Sequence, residues 1–228
     1  MSMGLRGLAK WTLGFVILVF VGAGSILILA HLNIAEERRP LPLPAQIMDK
    51  LEADQEKGPT QLYWINTASQ TMPKSGVVET FDTEDGEKAF SMSFAAFILE
   101  WADGRLLLVD VGMDEAGARA FGAPLELLGM ADPMQPRTSV AEGLGEARRK
   151  VDGVIFTHLH ADHVSGIEAL CKSNDFKARV FTTEAQAQRP NFTTSGGLDL
   201  LLEADCVSLT TLHEGPLHSL DDFPGIAI

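Results

Sequence analysis

Residues 157–163 read Thr157-His158-Leu159-His160-Ala161-Asp162-His163, or THLHADH. Four side chains of types that bind metal ions lie within its last six positions. The stretch follows an apolar run at Asp152–Thr157, typical of a short buried strand, and precedes a predicted helix at His163–Lys172. Such strand ends are where α/β folds place their ligands. An incidental polar turn rarely carries four ligand-type residues in this order, so the stretch predicts a metal site.

The spacing of these four side chains has a physical logic. Alternate residues of an extended chain point the same way, so His158 and His160 can hold one ion together. Where the chain turns into the helix, Asp162 and His163 are directed toward a neighbouring position. Imidazole and carboxylate ligands suit zinc, and also iron or manganese. Paired ions activate water and polarise a carbonyl or phosphoryl group, so the pattern predicts metal-assisted chemistry.

The surrounding chain predicts a layered α/β domain. Asp103-Gly104 is a strong hairpin signal between two apolar runs, and Gly112–Arg137, with three prolines and four glycines, indicates a loop. Strands are expected at Gln61–Ala68, Ala89–Trp101, Arg105–Val111 and Ala178–Thr182, and helices at Ser139–Lys150, with Ser139 as its cap, and Glu184–Arg189. This order of strands and helices is typical of layered α/β architecture.

HLHADH resembles the HxHxDH signature of the metallo-β-lactamase superfamily, and the preceding LLLVDVG resembles that family's earlier strand-Asp-Gly motif, over roughly residues 61–184. The resemblance implies an αββα sandwich and a zinc-dependent hydrolase, with two ions in a complete protein. It implies that His158 and His160 bind the first ion and that Asp162 and His163 bind the second. Asp162 would lie close to the attacking water, and Asp110 would support the metal loop from behind without binding metal.

The later ligand motifs of that family are not recognisable in the sequence. His213 and His218 lack the expected glycines and are interpreted as loop residues. The ending from Phe223 to Ile228 looks like the start of a strand that would lead to a third histidine. We therefore expect a partial sandwich, incomplete at its carboxyl end, in a chain that by itself binds metal weakly and turns over little substrate.

The amino-terminal part predicts a membrane anchor. Trp11 to Leu32 is almost wholly apolar, long enough for one transmembrane helix, and no good cleavage site follows it. The chain thus divides into a tail at 1–10, an anchor at 11–32, a proline-rich linker with a short helix at 33–60, and the metallo-β-lactamase-fold domain at 61–228. A short tail before a large domain favours a periplasmic or other extracytoplasmic domain, although a cleaved signal stays open.

Composition limits the partners and the chemistry. A formal net charge of −13 without a basic cluster argues against nucleic acid. The resemblance implies a small-molecule substrate, and the apolar run implies the lipid bilayer as a partner. Cys171 and Cys206 could be buried thiols or one disulfide; buried thiols are favoured because cysteine is among the most buried residue types. An anchored enzyme fits a lactone or β-lactam-like substrate. A mononuclear iron oxidoreductase and a non-catalytic membrane-anchored interaction module remain alternatives.

Overall fold

The amino-terminal unit contains one long helix. The computed structural model describes residues 5–36, 45, 49, 57–77, 89–172, 176–188, 191, 193–213, 220 and 222–226, and the chain divides into two units, Met1–Leu41 and Pro42–Ile228. Helix α1 spans Leu5–Glu36, and its stretch Trp11–Leu29 is long and apolar enough to cross a membrane. A retained anchor and a signal sequence share this property. Most of the predicted linker and short helix at 33–60 lies outside the described residues.

The second unit is built on a mixed seven-stranded sheet in the described part of the chain. Its strands are β1 (Gln61–Pro73), β2 (Ala89–Glu100), β3 (Leu106–Val109), β4 (Gln135–Pro136), β5 (Val151–Ile155), β6 (Ala178–Thr183) and β7 (Val207–Leu212). They lie in the order β4-β1-β2-β3-β5-β6-β7. The first four pair antiparallel, and β3, β5, β6 and β7 pair parallel. The α/β class predicted from the sequence is confirmed.

The hairpin between β2 and β3 forms where the sequence predicts it. Gly104 has a φ of 85°, a conformation that favours glycine, and its N–H donates to the Trp101 carbonyl at 2.8 Å. The three leucines that open β3, at positions 106 to 108, are at most 4% exposed. Burial on both faces of the sheet accounts for this uninterrupted apolar run.

Six helices are described beside the sheet: α2 (Glu115–Leu127), α3 (Val140–Leu144), α4 (Ala161–Val164), α5 (Ile167–Cys171), α6 (Glu184–Gln188) and α7 (Ser195–Glu203). The prediction of a loop at Gly112–Arg137 is wrong, because α2 occupies half of this range. Asp114 caps this helix by accepting from the Gly117 N–H at 2.8 Å. A Cβ on Gly122 would come within 2.5 Å of the Met134 Cβ, so this glycine permits close packing and does not signal a loop.

The two helices predicted around the metal motif are shorter than expected. Ser139 caps α3 as expected, in a capping box with Glu142. The helix ends at Leu144, because the next residue, Gly145, has a φ of 50°, and a 3₁₀ segment follows at Gly145–Lys150. The helix predicted at His163–Lys172 is divided into α4 and α5 at Gly166. A Cβ on Gly166 would meet the Val111 carbonyl oxygen at 2.4 Å, so the break seats these helices directly against the end of β3.

Two apolar clusters cover opposite sides of the sheet. The larger cluster joins β2, β3, β5 and β6 to α3, α4, α5 and α7, and its side chains include Leu108, Val154, Ile167, Leu170 and Leu201. The smaller cluster contains Trp101, Leu107, Phe181, Leu220 and Phe223. These two layers bury β3 and β5 from both sides, and those strands carry the candidate site.

The segment Leu220–Ile226 differs from its prediction. The sequence suggests the start of a strand at Phe223, whereas the described residues 222–226 form a turn. The Phe223 N–H donates to the Leu220 carbonyl at 2.7 Å. The Phe223 side chain is fully buried, with its ring centroid 5.3 Å from that of Trp101. Burial of one aromatic ring against the sheet therefore fixes a turn here.

The two cysteines form a disulfide and are not the buried thiols that the prediction favoured. Cys171, at the end of α5, and Cys206, just before β7, form a disulfide with a Cα–Cα distance of 5.3 Å. This separation lies in the usual range for disulfides. Buried thiols were therefore the wrong choice of the two alternatives, because cysteine composition does not reveal which side chains the fold brings together.

Candidate metal centre

The candidate site lies at the carboxyl ends of β3 and β5. These two strands are parallel neighbours, so the residues that follow them meet at one edge of the sheet. The Asp110 N–H continues the pairing by donating to the Ile155 carbonyl at 2.9 Å, and the Val111 N–H donates to the His163 carbonyl at 2.9 Å. The metal loop, defined here as Thr157–His163, is thereby joined at its last residue to the end of β3.

Three of the four predicted ligands come together in this loop. Donor atoms of His158, Asp162 and His163 all lie within 4.8 Å of one another, and the rings of His158 and His163 have centroids 4.0 Å apart. His163 Nε2 lies 3.5 Å from Asp162 Oδ2. Two imidazoles and one carboxylate around a common point match the donor set of a zinc site.

The burial of Asp162 provides a test of whether a metal fits. Its Oδ1 atom is buried and has no hydrogen-bond partner among the described residues. A buried carboxylate oxygen without a partner is costly. A cation held between Asp162 and the two histidines would remove that cost, so the residues present fit a metal ion.

Asp110 lies behind the loop and is only 2% exposed. Its carboxylate accepts from the Thr157 N–H at 2.9 Å and from the Thr157 hydroxyl at 2.8 Å. Its Oδ2 also lies 2.8 Å from His163 Nδ1. Since a carboxylate can only accept, His163 carries its proton on Nδ1 and keeps the Nε2 lone pair free. The backbone φ of Asp110 is 60°, a strained value that aspartate tolerates better than most residues.

His160 stands apart from the three clustered donors. Its ring centroid lies 4.3 Å from that of His158, but its Nε2 atom lies 2.8 Å from the Thr193 hydroxyl oxygen. The division of the four donors between two ions therefore remains a prediction, with His160 at the outer side of the loop.

The charges of the site act in opposite directions on two of its histidines. Burial is the main cause of a lowered pKa at His158, and the neighbouring His163 and His160 lower it further. At His163 burial also lowers the pKa, but the hydrogen bond and charge of Asp110, with the charge of Asp162, outweigh it and raise the pKa overall. The uncharged form of His158 that a metal requires is therefore favoured at neutral pH.

Sequence reasoning did not single out two side chains that contact the loop. Thr157 lies inside the quoted motif, and its hydroxyl contacts Asp110 and the Nδ1 atom of His163 at 3.3 Å. Thr193 is 33 residues from His160, so no local pattern could have revealed it. The hydroxyl groups of both residues orient donor side chains.

The remaining histidines are less central. His213 directly follows β7, and its Nδ1 lies 2.7 Å from Glu184 Oε1. Its side chain is 82% exposed. His218 lies outside the described residues. The pair His213 and Glu184 occupies the same edge of the sheet as the metal loop, but neither belongs to the donor cluster.

Fold and site together define an α/β protein in which a cluster of potential metal donors lies at the carboxyl ends of parallel strands. The sequence profile of the metallo-β-lactamase superfamily matches residues 92–217, more than half of the chain. The chain belongs to this superfamily, and its fold is that of the superfamily's metal-dependent hydrolases. A comparison with curated proteins finds no match.

Several solved structures resemble the chain. One is described as a probable metal-dependent hydrolase from Staphylococcus aureus, with 17% identity, 70% of this chain and 62% of that chain covered, and a TM-score of 0.44. Zn²⁺-bound PqqB from Methylobacterium extorquens has 16% identity, coverages of 54% and 35%, and a TM-score of 0.30. The FEZ-1 metallo-β-lactamase from Legionella gormanii has 13% identity, coverages of 72% and 50%, and a TM-score of 0.28. The matched chain spans less than two thirds of each of these proteins.

Proposed function

We propose that the protein is a zinc-dependent hydrolase that cleaves a cyclic ester or amide, such as a lactone or a β-lactam-like ring. The observation that carries the proposal is the convergence of His158, Asp162 and His163 within 4.8 Å, with one buried Asp162 oxygen left unpartnered. When bound, zinc supplies Lewis acidity and a water of lowered pKa. Both assist hydrolysis, since the Lewis acid polarises the carbonyl group and the water attacks it.

The chain's own residues would divide the work as follows. His158 and His160 would hold one ion, and Asp162 and His163 would hold a second. Asp162 would also lie close to the attacking water, because its carboxylate borders the donor cluster. Asp110 keeps His163 in the Nδ1–H form through the 2.8 Å contact. Iron or manganese would be accepted by the same donors.

We further propose that the domain works outside the cytoplasm, held to the bilayer by α1. The apolar stretch Trp11–Leu29 supports export, as an anchor or as a signal. The disulfide between Cys171 and Cys206 supports the same location, because disulfides persist in oxidising compartments and are rare in the cytosol. Small lactones and β-lactams reach such a compartment by diffusion, which makes them suitable substrate classes.

The first test is metal analysis of the full-length protein. We expect zinc bound by wild type and lost on His160→Ala or His163→Ala. Exposed His213 offers a matched control, since His213→Ala removes an imidazole outside the donor cluster and should leave the metal content unchanged. Iron as the native metal would favour the oxidoreductase alternative. Absence of any bound metal would favour the non-catalytic module.

The second test is turnover on a panel of lactones, β-lactams and thioesters. We expect hydrolysis of a lactone or β-lactam by the zinc-loaded protein, with little turnover by this chain by itself, and its loss in His160→Ala. Unchanged turnover in that variant would refute the ligand assignment. Hydrolysis of thioesters alone would keep the metal site and overturn the substrate class.

A further inference from the structure

We infer that Asn191 and Thr193 form an outer support that fixes the tautomer and orientation of His160. The inference deepens the proposed function, since it concerns how one of the proposed zinc ligands is held. His160 Nε2 lies 2.8 Å from the Thr193 hydroxyl oxygen, and that hydroxyl lies 2.7 Å from Asn191 Oδ1. The three groups form one continuous hydrogen-bonded chain that begins outside the metal loop.

The direction of each hydrogen bond in this chain follows from the Asn191 amide. Its Oδ1 atom accepts from the backbone N–H of Thr193 at 2.9 Å and from that of Thr194 at 3.1 Å. Two backbone donors identify this atom as the oxygen and exclude the flipped amide. The Thr193 hydroxyl, 2.7 Å from the same oxygen, must therefore donate its single hydrogen to Asn191.

The direction of the Thr193 hydrogen bond determines which nitrogen of the His160 ring carries the hydrogen. A hydroxyl that has donated its hydrogen can only accept from its next neighbour. His160 Nε2 must then carry the hydrogen, and the neutral ring keeps its lone pair on Nδ1. A metal ligand needs that lone pair, and a histidine's partner on the other ring nitrogen determines which atom offers it. Thr193 thus fixes the tautomer of His160 through Nε2, as Asp110 fixes the tautomer of His163 through Nδ1.

The turn that carries Thr193 is firmly joined to the metal loop. It leads directly into α7, and Leu198 and Leu201 of that helix are buried in the larger apolar cluster. A Cβ on Gly197 would lie 2.1 Å from the Leu159 carbonyl oxygen. Helix α7 therefore rests on the backbone between His158 and His160, which lets the Thr193 hydroxyl act as a fixed acceptor.

The experiment compares Thr193→Val, which removes the hydroxyl and keeps the shape, with Thr193→Ser, which keeps the hydroxyl. Zinc affinity of the full chain is measured by competition with a chromophoric chelator. We expect Thr193→Val to weaken binding by roughly 10- to 100-fold and Thr193→Ser to bind close to wild type. Thr210→Val, at an exposed position of β7, is the matched control and should leave affinity unchanged.

A second measurement reads the tautomer directly in the metal-free protein, by nitrogen-15 NMR of the histidine side chains at alkaline pH. We expect His160 to be protonated at Nε2 in wild type and in Thr193→Ser, and to become a mixture of tautomers in Thr193→Val. A mixture already present in wild type would overturn the inference. Equal zinc affinity in wild type and Thr193→Val would also overturn it.

The two proposals fail in distinguishable ways. If His160→Ala leaves zinc affinity unchanged, the ligand assignment behind the proposed function is wrong. If His160→Ala weakens binding but Thr193→Val does not, only the role of Thr193 is wrong. Loss of affinity in Thr193→Ser as well as Thr193→Val would show that the site needs the threonine shape, which likewise contradicts a role through the hydroxyl.

Discussion

Removal of the disulfide should lower stability by an amount that its position determines. The perturbation is the double substitution Cys171→Ala with Cys206→Ala. The bonded cysteines are separated by 35 residues along the chain, and for a loop of that length the chain-entropy relation gives about 4 kcal/mol. The bond acts chiefly on the unfolded chain, which gains freedom when the loop opens. The native packing around α5 and β7 should change little.

Urea unfolding of the full chain provides the assay, followed by tryptophan fluorescence. Of the three tryptophans, Trp101 is only 4% exposed in the folded protein and reports its unfolding. With a denaturant dependence of about 2 kcal/mol per molar urea, the midpoint should fall by roughly 2 M. Dithiothreitol should produce the same fall in wild type and no change in the double variant. An unchanged midpoint in the variant, or a wild type insensitive to the reductant, would refute the reasoning.

Three further perturbations address the loop, the helix break and the capping box. Asp110→Asn should weaken zinc binding by about 10- to 100-fold, because the amide offers a donor where His163 needs an acceptor; chelator competition measures this, and equal affinity would contradict the support role. Gly166→Ala should destabilise by about 1–3 kcal/mol, since its Cβ would meet a carbonyl oxygen at 2.4 Å; an unchanged urea midpoint would show that the backbone yields. Ser139→Ala should raise the pKa of Glu142 toward 4.5, because the Ser139 N–H and hydroxyl now lower it. Because the pKa of Glu142 is lower in the folded than in the unfolded protein, its carboxylate stabilises the fold at pH values above the unfolded pKa. This contribution is lost as the pH falls through the folded pKa. An NMR titration of Glu142 that shows no rise would refute the role of the hydroxyl.

Local patterns predicted the parts of the fold that neighbouring residues determine. The apolar run of β3 and the glycine turn before it depend on contacts within a few residues, and both form as predicted. The THLHADH loop brings His158, Asp162 and His163 together but leaves His160 apart, so the division of its donors between two ions stays a prediction. The capping box at Ser139 is likewise a local arrangement. Residues 158, 162 and 163 come together because a strand end leads straight into a helix turn.

The parts that failed depend on contacts between distant segments. In the sequence Gly122 suggests a loop, but in the fold it allows Met134 to pack against α2. Gly166 interrupts a helix because the end of β3 lies against it. The disulfide joins two cysteines 35 residues apart. The contact between His160 and Thr193 spans 33 residues. None of these pairings leaves a periodic signal in the sequence, so only the assembled fold reveals them.

Because the metal centre depends on the parallel pairing of β3 with β5, metal binding reports when this pairing forms during folding. Asp110 and His163 are 53 residues apart in the chain, and they meet only when a long crossover has closed. Parallel pairing of this kind is slower than formation of a local hairpin such as β2–β3. During refolding, the β-hairpin should therefore gain its structure first, and the capacity to capture a metal ion should appear only with the last kinetic phase of the sheet. A stopped-flow experiment with a metal-sensitive dye would time that phase directly.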